Sequence, residues 1–452
     1  MKQIKGGVTA AQGFYAAAAA AGIKYEGRTD MALVYSKVPC VAAGTFTSNV
    51  VKAAPVLWDR SIVRESLEKV QAVVVNSGVA NACTGREGLK ICEETAKEAG
   101  RVLGIPERSV LIGSTGVIGM QIPMDRVKKG IAELASSKAE TLEAGEAASR
   151  AIMTTDTHNK QAAVSLELSG KTVTLGGMSK GSGMIHPGMC TMLAFLTTDA
   201  AIEKDLLQKA VSEVVNETFN MISVDGDMST NDTLLVLANG LAGNEEIREE
   251  NEAYEAFKEA LFFVCRELAM EMAGDGEGAT KLIESQVVHA DTKEHAGILA
   301  KAVIQSNLTK AAIFGKDANW GRVLCALGYS GVSFDPEKVD LYFEADGKKM
   351  LIFTDGSAAD YSEEEAAKLL GSSKVVILSD MHMGEEAATA WGCDLTYDYV
   401  KINADYRSRQ EKCQRTENAV SGKDRYHDGS GSGRSAEKSR GVDRGTSLYS
   451  EI

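Results

Sequence analysis

Residues 176–200 concentrate the residue types that could carry out chemistry. A loop with several glycines, one lysine and one proline leads directly into the apolar run 192–196, which is predicted to be a buried strand. Thr191 stands at the junction between the two. A hydroxyl there can attack the preceding Cys190 carbonyl in an N-to-O acyl shift that cuts the chain. Cleavage would give Thr191 a free α-amine with a reference pKa of about 7.7–8.0, which can act as a general base beside its own hydroxyl.

Other chemistry in this loop is less well supported by the residue spacing. Neither G-x-x-x-x-G-K-[ST] nor G-x-G-x-x-G after a strand is present, so a nucleotide site is disfavoured. Cys190 is intrinsically the stronger nucleophile, but within the loop only His186 could activate it. An inert, packed thiol is therefore favoured for Cys190, and a loop position for His186. Most threonines in such loops are structural, so spacing alone leaves both roles open for Thr191.

Metal-binding patterns are missing from the sequence. The eight cysteines include no C-x-x-C pair, and the six histidines include no H-E-x-x-H. The acidic trio Asp225, Asp227 and Asp232 does not have the EF-hand spacing, which favours hydrogen bonding within a loop. We therefore predict no metal and no cofactor, and mostly buried free thiols in a reducing compartment.

Composition limits the classes of protein to consider. A chain of 452 residues with 44% hydrophobic and 25% charged residues has the composition of a globular protein. At about 150 residues per domain, its length predicts roughly three domains. The sequence contains no run of about 18 apolar residues, so no segment is predicted to span a bilayer. The net charge of −14 disfavours nucleic acid and anionic membranes as partners. The alanines at 16–21 make a poor signal-peptide core, so we predict packing in a fold and a cytoplasmic location.

Helices and strands are mixed along the whole chain, which predicts an α/β or α+β class with more than one layer. Helical spacing is present at 87–103, 124–136, 200–218, 249–273, 294–306 and 363–370. Strand patterns are present at 73–76, 110–112, 162–168, 172–175, 233–238, 339–345, 350–353 and 374–378. The last 44 residues, 409–452, hold only nine apolar residues and are predicted to be disordered.

Several segments carry a resemblance to a known family. Residues 180–195, KGSGMIHPGMCTMLAF, resemble the cleavage segment of the ornithine acetyltransferase (glutamate N-acetyltransferase) family of arginine biosynthesis. The resemblance extends in order over 1–408. Its other motifs are GGVTA (6–10), NSGVANACTG (76–85), GSTGVIG (113–119), IMTTDT (152–157), SVDGDMSTND (223–232), GDGEGAT (274–280), GKDANWGR (315–322) and NADYRS (403–408).

The resemblance implies a fold and a self-cleaving enzyme. The implied fold is an N-terminal-nucleophile-like αββα sandwich, similar to the DmpA type. An α chain, 1–190, would carry the oxyanion hole, and a β chain, 191–408, would start at the nucleophile. Residues 409–452 would be an atypical polar extension, and the assembly would be a heterotetramer with two copies of each chain.

The resemblance also implies site residues and substrates. Thr191 would be the nucleophile released by cleavage after Cys190, and Thr115 and Gly116 would form the oxyanion hole. The implied substrate-binding residues are Thr154, Lys180, Thr191, Glu277, Asn403 and Ser408. A cation such as Lys180 suits a substrate carboxylate, and an anion such as Glu277 suits an ornithine ammonium.

The implied reaction is ping-pong transfer of acetyl from N2-acetylornithine to glutamate, with acetyl-CoA as a possible second donor. Two other functions stay open. A related N-terminal-nucleophile amidase or aminopeptidase would pass the acyl group to water. A non-catalytic binding protein on the same scaffold would need neither cleavage nor turnover.

Overall fold

The computed structural model describes residues 1–64, 69–186 and 192–404. Residues 1–402 form one compact unit, and only Asn403 and Ala404 are described from the second unit, 403–452. The predictions for Cys190, Thr191, Ser408 and the extension 409–452 lie outside the described residues.

Strands and helices are mixed throughout the described chain, which confirms the predicted class. The strands are β1 (Lys2–Ile4), β2 (Phe14–Ala19), β3 (Met31–Phe46), β4 (Val70–Asn76), β5 (Val110–Ser114), β6 (Lys160–Leu168), β7 (Lys171–Lys180), β8 (Leu193–Thr198), β9 (Ile222–Ser223), β10 (Thr233–Ala238), β11 (Leu282–Ala290), β12 (Asp340–Ala345), β13 (Lys348–Thr354), β14 (Ser357–Ala358), β15 (Lys374–Asp380) and β16 (Glu386–Cys393). The helices are α1 (Ala54–Val63), α2 (Gly85–Leu103), α3 (Met124–Ser137), α4 (Leu142–Ala151), α5 (Lys204–Glu217), α6 (Glu252–Gly274), α7 (Lys293–Gln305), α8 (Asn307–Gly315), α9 (Trp320–Gly328), α10 (Glu363–Leu369) and α11 (Tyr397–Ala404).

The first sheet folds back on itself through the 16-residue strand β3. Its order is β1-β6-β7-β8-β10-β3-β4-β5, and β2 also pairs with β3. Residues 31–35 of β3 pair with β4, whereas residues 41–46 pair with β10, and the register shifts between Tyr35 and Cys40. The first half of β3 therefore belongs to one leaf, with β2, β4 and β5, and the second half belongs to the other leaf.

The two leaves pack face to face and carry helices on their outer faces. Alternate residues of the first leaf, such as Val73, join one core with Met178 and Phe195 of the second leaf. The residues between them, such as Val74, pack beneath α2 and α3. The outer face of the second leaf packs on α5 and α6, with Val236 in that core. The order helix, leaf, leaf, helix confirms the αββα sandwich.

A second sheet packs beyond α6. Its order is β14-β13-β12-β15-β11-β16-β9, with β11 parallel to β15 and antiparallel to β16. Helix α6 contacts β6 and β7 of the first sheet and also β11 and β16 of the second. Helix α6 is 23 residues long and begins at an Asn251 cap, whose side chain accepts from the amides of Ala253 and Tyr254.

The predicted elements are all present, with shifted ends, while several others were missed. The missed elements are β1, β2, β3, β9, β11, β14, β16, α1, α4, α8, α9 and α11. Both faces of β3 and β11 meet other layers along most of their length, so neither strand shows a clean alternation of apolar and polar residues. The alanine run forms most of β2, which is packed as predicted.

Four of the six described cysteines are buried, in keeping with the prediction of mostly buried thiols. Cys40, Cys92, Cys265 and Cys393 are buried free thiols, whereas Cys83 and Cys325 are exposed. Among the described residues, no helix combines the length and apolar character needed to cross a bilayer.

Candidate active site

The predicted oxyanion-hole pair, Thr115 and Gly116, lies where two parallel strands of the first leaf end. β4 and β5 are parallel and finish at Asn76 and Ser114, which are paired in register. The hydroxyl of Ser114 donates to the Asn76 Oδ1 at 2.7 Å, and the amide of Thr115 donates to the Asn76 carbonyl at 3.0 Å. Loops with functional groups are expected at the carboxyl ends of parallel strands, so the fold supplies a natural position for Thr115 and Gly116.

Gly116 has a conformation and a packing that only glycine tolerates. Its φ is +128°, and a Cβ atom would lie 2.2 Å from the carbonyl carbon of Gly78. Within the described chain, the Gly116 amide donates to no other group, whereas the amides of Thr115 and Val117 are both engaged. An unpaired amide on a fixed, half-exposed turn is suited to hold a developing negative charge.

Lys180 links Thr115, of the predicted oxyanion hole, to a predicted substrate-binding residue, Thr154. Its ammonium donates to the hydroxyl of Thr154 at 2.9 Å and to that of Thr115 at 3.4 Å. Lys180 is the last residue of β7 and pairs with Leu193, the first residue of β8. Lys180 is therefore held beside the start of β8, and that strand begins two positions after Thr191 in the chain.

A buried ion network stands behind Lys180. Asp156 lies 3.9 Å from the Lys180 ammonium and 2.9 Å from the ammonium of Lys160. Lys160 also pairs with Asp275 at 2.6 Å, and it is fully buried. Asp156 further accepts from the amides of Thr154, at 3.0 Å, and Gly181, at 2.7 Å. Asp156 thus fixes the backbone at Thr154 and at Gly181, which follows Lys180.

Burial and charge act in opposite directions in this network. Burial alone would raise the pKa of Asp156, but the charges of Lys180 and Lys160 outweigh it and hold that pKa well below its usual range. Burial lowers the pKa of Lys180, and the negative charges of Asp156 and Glu277 offset this in part. The two residues therefore stabilise each other as an ion pair.

Glu277 reaches the same region from the loop after α6. Its amide donates to the carbonyl of Ser182 at 3.0 Å, and the Ser182 hydroxyl donates to the carbonyl of Asp275 at 2.7 Å. The Glu277 carboxylate lies against Gly183, where a Cβ atom would be 2.5 Å from its carbon. Glu277 is 8% exposed and is one of the charges that act on Lys180.

The loop that leads towards residue 187 is held by Asp225. The Asp225 carboxylate accepts from the amides of Met184 and Ile185 at 2.6 and 2.9 Å, and from that of Asp227 at 3.1 Å. Met184 has a φ of +57°, an uncommon value for a residue with a side chain. The expected loop role of this acidic segment is confirmed for Asp225. Asp232, in contrast, is a buried group immediately before β10.

The remaining predicted residues are distributed as follows. The structure brings together Thr115, Gly116, Thr154, Lys180 and Glu277 at the ends of β5 and β7. Asn403 is exposed on α11 and belongs to the second unit. His186 lies 3.2 Å from the hydroxyl of Ser223, in keeping with a loop role.

Sequence reasoning missed the roles of Asp156, Lys160 and Asp275. Asp156 and Asp275 lie inside two of the motifs that carry the resemblance, which was the available signal. Charged residues at these spacings are usually solvated, so nothing in the sequence indicated that the three side chains are buried together.

Comparison with known proteins identifies the family. The ArgJ family model matches residues 15–408. Arginine biosynthesis bifunctional protein ArgJ from Symbiobacterium thermophilum is 54% identical over 410 residues, covering 90% of this chain and 100% of that protein. The protein of the same name from Caldanaerobacter subterraneus subsp. tengcongensis is 48% identical over 408 residues, with the same coverage.

A solved structure is also similar. The crystal structure of arginine biosynthesis bifunctional protein argJ from Bacillus halodurans has 47% sequence identity and a TM-score of 0.46, covering 48% of this chain and 100% of that chain. With a family model over most of its length and relatives near half identity, this chain belongs to the ArgJ family.

Proposed function

We propose that this protein is a self-cleaving acyltransferase that moves acetyl from N2-acetylornithine to glutamate in arginine biosynthesis. The relatives named above are arginine biosynthesis proteins and are called bifunctional. That name supports the pathway and a second activity, for which we propose acetyl-CoA as the acetyl donor. The proposed enzyme needs no metal or prosthetic group.

The first step is the formation of the nucleophile. The Thr191 hydroxyl attacks the Cys190 carbonyl, the peptide bond becomes an ester, and water hydrolyses that ester. The products are an α chain, 1–190, and a β chain that begins at Thr191 and runs through 408 into the extension 409–452. The free amine of Thr191 then serves as a general base for its own hydroxyl.

Acetyl transfer follows in two half-reactions. The Thr191 oxygen attacks the acetyl carbonyl, and the resulting oxyanion accepts hydrogen bonds from the Thr115 hydroxyl and the Gly116 amide. The α-nitrogen of ornithine leaves with the proton that Thr191 gave up, so an acetyl-threonine ester remains. The amine of glutamate then attacks this ester, the bond to the Thr191 oxygen breaks, and that oxygen takes the proton lost by the amine, so N-acetylglutamate leaves and the Thr191 hydroxyl is restored.

The observation that carries this proposal is the position of the Lys180 ammonium. It contacts the hydroxyl of the proposed oxyanion hole, on Thr115, and that of a proposed substrate-binding residue, Thr154. An ammonium between these two groups can bind the substrate carboxylate while it orients the Thr115 hydroxyl towards the oxyanion. Glu277, close enough to act on the charge of Lys180, would take the ornithine ammonium at the other end.

Several further properties belong to the same proposal. Asn403 and Ser408 would complete the substrate site, and two α and two β chains would assemble as a heterotetramer. The buried free thiols suit a reducing compartment, so we also propose a cytoplasmic location.

A product assay tests the function. Purified protein is incubated with N2-acetylornithine labelled in the acetyl group, with and without glutamate, and the labelled products are separated. We expect label in N-acetylglutamate, initial rates that give parallel double-reciprocal lines, and no transfer by Thr191→Ala. Label found only in free acetate would instead identify a hydrolase, and an uncut chain without turnover would identify a binding protein.

A further inference from the structure

A second cluster of chemically capable side chains lies at one edge of the second sheet. His289, Asp380 and His382 offer ligand atoms that all lie within 4.8 Å of one another, and they form the one such group among the described residues. None of them takes part in the site at Lys180. Both imidazoles are exposed, and the Asp380 carboxylate is half-buried beneath them.

The strand pairing brings these residues together. His289 lies near the end of β11, and Asp380 ends the parallel neighbour β15. β12 is antiparallel to β15 and begins at Asp340, which is paired directly with Asp380. Three strand ends therefore converge at one edge, with His382 in the loop that follows β15.

The backbone around the cluster is held firmly. The carbonyl of His289 accepts from the amides of Met383 and Gly384 at 2.7 and 2.9 Å, which fixes the loop that carries His382. A Cβ atom at Gly384 would lie 2.5 Å from the Ala290 carbonyl oxygen, so glycine permits this close approach. His289 and His382 both have positive φ, of 54° and 50°.

The side chains are close enough to bind one ion together. The Asp380 Oδ1 lies 2.8 Å from the His289 Nδ1 and 3.5 Å from the His382 Nδ1. Its Oδ1 also accepts from the His382 amide at 3.2 Å, which orients the carboxylate. The two rings are stacked with an interplanar angle of 21° and a centroid distance of 6.2 Å.

Asp340 sets the orientation of one ring. Its Oδ2 lies 2.9 Å from the His382 Nε2. When that nitrogen donates to Asp340, the Nδ1 lone pair of His382 faces Asp380. A carboxylate that holds the far nitrogen of a histidine in this way is the usual partner of a metal-binding imidazole.

We propose that His289, His382 and Asp380 bind one zinc ion, with Asp340 orienting His382. Two imidazole nitrogens and one carboxylate oxygen are ligands that zinc accepts, and water would fill the fourth position. Zinc–ligand bonds of about 2.0–2.1 Å in a tetrahedron separate the ligand atoms by roughly 3.3 Å. The separations of 2.8 and 3.5 Å between the imidazoles and Asp380 lie on either side of that value. All the ligand atoms lie within 4.8 Å of one another, and the exposed rings can turn to bring the two imidazole nitrogens closer together.

Zinc bound here would connect the ends of β11 and β15 with the loop that follows β15. A ligand that binds the folded protein and not the unfolded chain stabilises the folded state by mass action. Zinc is therefore expected to raise the Tm of the protein, and this effect is a readout that does not depend on acetyl transfer.

Calorimetric titration with zinc chloride tests the proposal. The full chain, without an affinity tag and after chelator treatment, is titrated in a buffer that does not bind metals. We expect one site that His289→Ala and His382→Ala each weaken by at least about tenfold, and Asp340→Asn by about 10–100-fold. Cobalt(II) should give a visible absorption band in wild type that the double variant lacks.

His295 provides the matched control. Its Nδ1 lies 2.8 Å from the Asp291 Oδ1, so it is another exposed His–Asp pair, but no second imidazole joins it within the part of the chain that the structure describes. His295→Ala should therefore keep the zinc affinity and the zinc-dependent rise in Tm. The proposal is overturned if wild type takes up no zinc, if the His289/His382 double variant binds as tightly as wild type, or if His295→Ala weakens binding equally.

Discussion

The ammonium of Lys180 donates a hydrogen bond of 3.4 Å to the hydroxyl of Thr115, although the two residues are 65 positions apart in the chain. Lys180 ends β7 in one leaf of the sandwich, and Thr115 follows β5 in the other. Asn231 connects the same two leaves, because its side-chain amide donates to the Ser114 carbonyl at 2.8 Å and to that of Ala80 at 2.6 Å. The site thus depends on both leaves at once.

The first prediction concerns the Thr115 hydroxyl. Thr115→Val keeps the shape of the side chain and removes the proposed oxyanion donor, so kcat should fall by about 10²–10³. KM for N2-acetylornithine should change much less, because the oxyanion is absent from the bound substrate and forms only as the Thr191 oxygen attacks. Thr115→Ser retains the hydroxyl and should retain most of the activity. Steady-state kinetics would contradict the role if Thr115→Val stayed within a few-fold of wild type.

The second prediction uses the contact between Gly183 and Glu277. Gly183→Ala places a Cβ atom 2.5 Å from the carboxylate carbon of Glu277, and the flexible side chain must move away. KM for N2-acetylornithine should rise about tenfold or more, since a displaced carboxylate loses a charged hydrogen bond to the substrate. In Gly315→Ala, the control, an added Cβ meets no atom within 4 Å. An unchanged KM in Gly183→Ala would argue against Glu277 as a substrate-binding residue.

The third prediction concerns the buried network. Lys160→Met leaves Asp156 and Asp275 without their fully buried counter-charge, and breaking such a pair lowers the free energy of unfolding by about 3–5 kcal/mol. Urea unfolding measures the change. Arg150→Ala removes an exposed pair with Glu146 and should leave the urea midpoint almost unchanged. Similar midpoints for the two variants would mean that the network contributes little.

The fourth prediction is a dependence of stability on pH at Asp59. This carboxyl is fully buried, accepts from the Ile112 amide at 2.8 Å, and has a pKa that burial raises well above its usual value. The folded protein therefore keeps a proton that the unfolded chain releases. Stability from this group is complete below the unfolded pKa of about 3.9 and is lost as pH rises towards the folded pKa.

Asp59→Asn removes this titration while it keeps the acceptor for Ile112. The advantage of the variant over wild type in free energy of unfolding should grow by up to about 1.4 kcal/mol per pH unit. Urea midpoints measured from pH 5 to 8 would show it. Asp125→Asn, which changes an exposed carboxyl, serves as the control. A difference from wild type that stays constant across this range would exclude a protonated Asp59.

The sequence contained much of the fold and of the site, for identifiable reasons. The alternation in β4, where Val73 and Val74 face different cores, and the amphipathic spacing of α2 follow directly from local pattern. Thr115, Lys180 and Glu277 could be named because each lies inside a long motif. The division of β3 between two leaves could not be predicted, because different layers bury its residues at different points along the strand.

The charged groups brought together by tertiary structure were the hardest to predict. Lys160 pairs with Asp275 across 115 positions, and His289 reaches Asp380 across 91. Neither pair is marked by a characteristic residue spacing in the sequence. Each depends on which strands become neighbours, and that is decided by the packing of whole layers.

The central claim, an acetyl group carried by Thr191, is tested most directly by mass spectrometry of the acyl-enzyme. Protein is incubated with N2-acetylornithine without glutamate, quenched in acid and digested. We expect one acetyl group on the peptide that begins at Thr191, and its disappearance when glutamate is added before the quench. Active protein that is a single uncut chain, or acetyl transfer without any acetylated Thr191 peptide, would contradict this mechanism.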